Sequence, residues 1–157
     1  MQTFILDRSI YTSALYLDPR RRFKQAVECK QIYLALTGQS KAFKNHPATL
    51  QWTEHRMDLL HYGFICMHYS SNDAPKLQKW YAEILNDSFP IINFSEVFHA
   101  LIPWHRGLLL RKDYNLYQPI FPEATSTGYA RYLDPNIRRT SSTSGIFHIK
   151  SGKRIYD

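Results

Sequence analysis

The chain has 157 residues, 44% of them hydrophobic and 15% aromatic, and a formal net charge of +7 at pH 7. This length predicts one domain over residues 1–157 with a buried core, and the hydrophobic content excludes a broadly disordered chain. The net charge favours a polyanionic partner, most commonly nucleic acid, over a basic surface that only keeps the protein soluble.

The elements are clearest at the start of the chain. Residues 1–16 form a short segment of mixed composition with many apolar residues, which fits either an extended segment or a first helical turn. Asp18 has the character of an N-cap and Pro19 of a first-turn residue, so a helix is predicted over residues 18–36. Gly38 ends this helix, and a loop over residues 39–45 follows.

Further helical segments follow before an irregular C-terminal region. The spacing of apolar residues predicts a second helix from Pro47 to about Tyr69 and a third over residues 75–86. Residues 95–110 are predicted to form a short helix or a pair of turns, broken by Pro103. Beyond Asp113 we expect ordered loop without a sheet, with a mobile segment at residues 138–145. The predicted fold is all-α, a compact bundle of three to four helices with a long irregular C-terminal region.

Signals for targeting, disulfides and metals are weak. Asp7 and Arg8 interrupt the N-terminal apolar run, which argues against a signal peptide, and no apolar run approaches the length of a membrane span. Cys29 and Cys66 lack zinc-like spacing and are expected to be buried free thiols. We therefore expect a cytoplasmic protein, in the host cytoplasm if a phage encodes it, with no metal and no membrane association.

The helix over residues 18–36 contains the strongest candidate for a catalytic site. At about 100° per residue, Arg21, Lys24, Glu28 and Gln31 share roughly a quarter of its circumference. Basic groups on this face can hold phosphates while the carboxylate handles protons, which favours chemistry on a nucleic acid. The alternative is a surface carboxylate that simply pairs with Lys24 and Gln31.

Basic residues also begin this helix and recur elsewhere in the chain. The arginines at positions 20–22 oppose the helix dipole, and a phosphate bound at the same end would reverse that penalty. His46, before the second helix, can cap it, bind phosphate or transfer protons. Two further basic patches suit a nucleic-acid strand; they comprise His105, Arg106, Arg111 and Lys112, and residues 150–156.

Several segments together resemble the pyrimidine-dimer DNA glycosylase family. They are residues 1–4, 17–22, 24–25, 27–28, 31–32, 45–48, 52, 109–113, 117, 121–122, 152–153 and 155–156. Members of this family are compact all-α enzymes that flip a base out of the duplex, attack the sugar C1′ with the N-terminal α-amine and break the strand by β-elimination.

The resemblance implies which residues of this chain would act. The amine would belong to Met1, or to Gln2 if Met1 is removed, and Glu28 would assist the chemistry. No cofactor is implied, because an ordinary α-amine has a pKa of about 7.7–8.0 and is partly neutral at cellular pH. The resemblance also implies that Arg21, Arg22 and Lys24 hold phosphates.

We therefore predict a DNA-repair enzyme, a DNA glycosylase with associated AP-lyase activity on a damaged or modified base in double-stranded DNA. The alternative is a non-catalytic nucleic-acid-binding or regulatory protein on the same fold. Met1, Gln2 and Glu28 are the predicted catalytic residues. The predicted DNA-binding residues are Arg20, Arg21, Arg22, Lys24, Gln25, Asn45, His46, Arg111, Lys112 and Lys153.

Overall fold

The computed structural model describes residues 1–137 and 144–157 and is mostly helical. A non-helical segment at residues 1–6 comes first, and a 3₁₀ helix at Glu96–Leu101 immediately precedes α6. Most of the predicted mobile segment, at residues 138–143, lies outside the described residues. The helices are α1 (Ile10–Tyr16), α2 (Pro19–Leu36), α3 (Pro47–Leu50), α4 (Arg56–His68), α5 (Pro75–Leu85), α6 (Ile102–Lys112) and α7 (Tyr114–Tyr117).

The prediction for α2 is confirmed at both ends. The Asp18 carboxylate accepts a hydrogen bond from the backbone N–H of Arg21 at 3.1 Å, and Pro19 occupies the first turn. Gly38 follows the helix with a φ of +76°, a conformation that glycine adopts without strain. The bounds of α5 also agree with the prediction to within one residue.

The predicted second helix is wrong as a single element, because it divides into α3 and α4. The chain turns between them over residues 51–55, which brings the side chains of Gln51 and Trp52 into the interior. Both side chains donate hydrogen bonds to the hydroxyl of Thr3 at 3.1 Å. A local helical pattern cannot predict these long-range bonds to the N-terminal segment.

Close packing between helices requires Gly63 in α4. A Cβ atom at this position would lie 2.0 Å from the Tyr81 hydroxyl of α5 and 2.7 Å from Cβ of Cys29 in α2. Helix α4 packs against α1, α2 and α5, and its glycine lets these helices approach. Cys29 and Cys66 are buried free thiols, as predicted.

The end of the chain corrects the all-α prediction, because the structure contains a three-stranded antiparallel sheet in the order β1-β2-β3. Its strands are β1 (Tyr132–Leu133), β2 (Ile146–Lys150) and β3 (Lys153–Tyr156). Ser151 and Gly152 join β2 to β3 with positive φ angles of 49° and 74°, which suits the two-residue turns of tight hairpins. Pro103, predicted to break a helix, lies in the first turn of α6.

Large side chains from distant segments form the core. Ile5 and Leu6 of the N-terminal segment are fully buried, together with Trp52, Tyr62 and Phe98. The central position of residues 1–6 fixes the start of the chain against α2 and α6. No described helix is both long and apolar enough to span a bilayer.

Candidate active site

An open cleft of about 740 Å³ lies between the N-terminal segment, α2 and the junction of α6 with α7. All three predicted catalytic residues line it, namely Met1, Gln2 and Glu28. Of the predicted DNA-binding residues, the cleft brings together Arg20, Arg21, Lys24, Gln25 and Lys112.

Glu28 contacts two nitrogen atoms through its two carboxylate oxygens. The backbone N–H of Gln2 donates a hydrogen bond to Oε2 at 3.2 Å, and Nζ of Lys24 lies 3.7 Å from Oε1. The Glu28 side chain is 11% exposed, whereas that of Lys24 is 74% exposed. The carboxylate is therefore largely withdrawn from solvent but still lines the cleft.

Gln25 holds the N-terminal segment in register with Glu28. Its Oε1 accepts a hydrogen bond from the backbone N–H of Phe4 at 2.8 Å, and its Nε2 donates to the carbonyl of Gln2 at 3.4 Å. Gln25 is 2% exposed, so these bonds are formed away from water. Gln25 thus faces the neighbouring chain segment, and its described contacts support the position of residue 2.

His105 makes a second attachment of the same segment. Its Nδ1 accepts from the backbone N–H of Ile5 at 2.9 Å, and its Nε2 lies 3.0 Å from the carbonyl of Arg131. Complete burial lowers the pKa of His105 to about 4, so the ring is neutral at pH 7 and Nδ1 is free to accept. The predicted place of His105 in a basic patch is wrong, because its side chain is fully buried. Its apolar neighbours in α6, Leu108 and Leu109, were the available sign of burial.

Met1 is partly buried and occupies space at the end of the cleft. Its Sδ lies 3.8 Å from the hydroxyl of Thr49, and its side chain packs against the cluster of Ala48, Tyr132 and Phe147. The start of the chain therefore contacts α3 and the sheet as well as the cleft.

The charged groups of the cleft are partly paired with one another. Nη1 of Arg21 lies 2.8 Å from Asp18 and 3.9 Å from Asp113, and its guanidinium stands 5.6 Å from the centre of the Tyr117 ring. Burial opposes ionisation of Asp18, but hydrogen bonds from Tyr117 and Arg21 outweigh it and lower the Asp18 pKa. Burial, with the bond to Asp18, raises the pKa of Tyr117 to about 12. The Asp18 carboxylate thus occupies the helix end at which a phosphate was expected.

Arg22 lies outside the lining of the cleft. Its guanidinium donates hydrogen bonds to the carbonyls of Ala14, Leu15, Leu17 and Tyr69, at distances of 2.7–3.1 Å. These carbonyls belong to the ends of α1 and α4, so Arg22 joins two helix termini. Its neighbours Arg20 and Arg21 remain at the cleft because successive helical residues point about 100° apart.

The remaining predicted DNA-binding residues also lie beyond the cleft lining. His46 caps α3, with its Nδ1 accepting from the N–H of Ala48 at 3.0 Å, which identifies one of its three predicted roles. Burial, and secondarily the positive chain terminus, lowers the His46 pKa. Asn45 and Arg111 are exposed, as is Lys153 at the start of β3. Arg106, from the same predicted patch, bonds instead to Glu123 and the carbonyl of Leu6.

Comparison with known proteins gives a match over the N-terminal part of the chain, which contains Glu28. Residues 1–71 match the family model described as pyrimidine dimer DNA glycosylase, which confirms the predicted resemblance over that range. The description of that family names a DNA glycosylase. No curated protein and no solved structure gave a significant match. The matched range includes the N-terminal segment and α1 to α4, whereas Lys112 lies beyond it.

Proposed function

From the match of residues 1–71 to the pyrimidine dimer DNA glycosylase family model, we propose that this protein is a DNA glycosylase with associated AP-lyase activity. Its substrate is a damaged or modified base in double-stranded DNA, and the activity places it in DNA repair. The observation that carries the proposal is the 3.2 Å distance between the main-chain nitrogen of Gln2 and Oε2 of Glu28.

The proposed nucleophile is the α-amine of Gln2, released by removal of Met1. The neutral amine attacks C1′ of the flipped nucleotide, and the base leaves with the electron pair of the glycosidic bond. The sugar ring opens to give a protonated imine on the chain terminus. Glu28 is within hydrogen-bonding distance of this nitrogen and accepts and returns the protons that these steps require.

The lyase step uses the same carboxylate. Glu28 removes a proton from C2′, the C3′–O bond breaks, and the 3′ oxygen leaves with the phosphate of the downstream strand. Water then hydrolyses the imine and frees the amine for another turnover. If Met1 is retained, the nucleophile is the amine of Met1, which lines the same cleft.

The cations on opposite sides of the cleft are proposed to hold the DNA backbone. Arg20 and Lys24 project from α2 and Lys112 from the end of α6, and all three are exposed. Contacts of this kind predict binding that weakens steeply as salt is added. Arg21 also lines the cleft, where it pairs with Asp18, and is proposed to contact phosphate from that position.

Borohydride trapping with a matched glutamate control tests the proposal. Intact mass first shows whether Met1 or Gln2 carries the amine. Wild-type protein is expected to be trapped on DNA that contains an abasic site, and Glu28→Gln to cleave that site about 10²-fold or more slowly, because the C2′ proton loses its acceptor. Glu83→Gln is the control, because Glu83 also lies 3.7 Å from a lysine one turn away but stands outside the cleft lining.

Two results would contradict the enzymatic proposal. One is the absence of any trapped species from wild-type protein that binds DNA in a salt-sensitive manner, which is the behaviour of the non-catalytic alternative. The other is equal cleavage by wild type and Glu28→Gln, which would show that the Glu28 carboxylate has no part in the reaction.

A further inference from the structure

We propose that Lys24 is a second amine nucleophile of this cleft, able to form an imine with the ring-opened aldehyde of an abasic site. The inference rests on the proposed function, because it takes the same cleft to bind the DNA sugar. It adds a second lyase route that does not depend on the chain terminus and therefore does not depend on the removal of Met1.

The position of Lys24 relative to Glu28 carries this inference. Nζ of Lys24 lies 3.7 Å from Oε1, while the nitrogen of Gln2 lies 3.2 Å from Oε2 of the same carboxylate. Two nitrogens therefore flank a single proton acceptor from two sides. Either nitrogen can therefore share Glu28 as the proton acceptor for its reaction with a sugar.

Exposure and chemistry separate Lys24 from the other cations that line the cleft. Arg20 and Arg21 carry guanidinium groups, which stay protonated and form no stable imine. Lys112 is the other lysine of the lining, and within the described part of the chain it makes no ion pair with a carboxylate. Lys24 combines an amine on a flexible, 74% exposed side chain with a largely buried carboxylate one helical turn away.

An abasic aldehyde is also the substrate for which a lysine suffices. No base has to be expelled, so the nucleophile needs only to add to the carbonyl carbon. Nζ forms a bond to C1′, and the aldehyde oxygen leaves as water to give the imine. Glu28 takes the C2′ proton, the C3′–O bond breaks with departure of the 3′ phosphate, and water hydrolyses the imine to restore Lys24.

The pH dependence of the two routes differs. Lysine amines are in general protonated to a far greater extent at neutral pH than chain-terminal amines are. Raising the pH therefore increases the neutral fraction of a lysine amine by a larger factor than that of a chain-terminal amine. The ratio of lysine adduct to terminal adduct should increase from pH 7 to pH 9.

Mapping of the trapped adduct tests the proposal. Protein is reduced with borohydride in the presence of abasic-site DNA at pH 7 and pH 9, digested, and analysed by mass spectrometry. We expect adducts at the terminus and at Lys24, with the Lys24 fraction larger at pH 9. Lys24→Arg, which keeps the charge but forms no stable imine, should lose the internal adduct.

Lys79 provides the matched control. Its Nζ also lies 3.7 Å from a glutamate one turn away, and its side chain is 77% exposed, but it stands on α5 outside the cleft lining. Lys79→Arg should leave both adducts unchanged, and wild-type protein should show no adduct at Lys79.

Each outcome identifies which proposal fails. A terminal adduct without a Lys24 adduct at pH 9 would overturn the Lys24 proposal and support the terminal amine. A Lys24 adduct alone would support Lys24 and overturn the terminal nucleophile. Equal labelling of Lys24 and Lys79 would show nonspecific reaction and overturn the Lys24 proposal, and no adduct at all would overturn both.

Discussion

Single polar side chains fix the position of the N-terminal segment relative to the carboxylate of Glu28. Gln25 is the clearest example, because the sequence predicts it as a DNA contact on a basic helix face. In the structure Gln25 is buried, while Lys24 beside it is exposed. The identity of the helix could be predicted from capping and periodicity. The orientation of one polar side chain could not, because it depends on the backbone of residues 2–4.

Truncation of Gln25 should destabilise the protein. Gln25→Ala leaves the buried N–H of Phe4 without its acceptor, so the free energy of unfolding is expected to fall by about 1–3 kcal/mol. Urea unfolding measures this change, and Gln39→Ala, at an exposed position just after α2, should have little effect. Equal stability of Gln25→Ala and wild type would show that water or another group replaces the bond.

Elements with local signals were the predictable part of the fold. Asp18, Pro19 and Gly38 mark the ends of α2 in the sequence itself. The separation of α3 from α4 depends on bonds from Gln51 and Trp52 to Thr3, 48 and 49 positions away. The hairpin of β2 and β3 has a sequence signal, a Ser-Gly turn between β-branched and aromatic residues. The surrounding region is rich in Ser, Thr, Pro and Gly, which favoured the prediction of loop instead.

The roles of neighbouring arginines at the start of α2 should separate experimentally. Arg22→Gln removes donors from carbonyls at the ends of α1 and α4, so we expect a loss of about 1–3 kcal/mol in unfolding free energy and unchanged DNA affinity. Arg20→Gln should instead keep stability within about 0.5 kcal/mol of wild type.

Salt titrations complete this comparison. Fluorescence anisotropy at several NaCl concentrations should show weaker DNA binding by Arg20→Gln, with a log–log salt slope reduced by about one unit. A similar reduction for Arg22→Gln, measured well below its unfolding temperature, would place its guanidinium on the DNA, as the sequence predicts.

For the molecule as a whole, buried and half-buried histidines predict sensitivity to mild acid. Burial lowers the pKa of His105 to about 4, and those of His46 and His61 shift in the same direction. The unfolded chain therefore binds more protons than the folded one between about pH 6.5 and pH 4. Stability is fully present above this window and falls with decreasing pH, by up to about 3 kcal/mol from His105.

Urea unfolding between pH 7 and pH 4.5 measures this loss. His105→Gln, whose amide can accept from Ile5 and donate to Arg131, should show a shallower pH dependence than wild type, whereas His68→Gln at an exposed position should not. The carboxyl groups of Asp18 and Asp134, with pKa values below the usual range, act in a separate window under about pH 4. An unchanged slope for His105→Gln would assign the acid sensitivity to other groups.

The place of Met1 has a consequence for maturation. Its side chain fills volume at the end of the cleft, and its peptide bond makes the nitrogen of Gln2 an amide. Hydrolysis of that one bond would vacate the volume and convert a fixed hydrogen-bond donor into an ionisable group beside Glu28. On the proposed chemistry, an aminopeptidase that trimmed the newly made chain would transfer the reactive amine from Met1 to Gln2, directly beside Glu28.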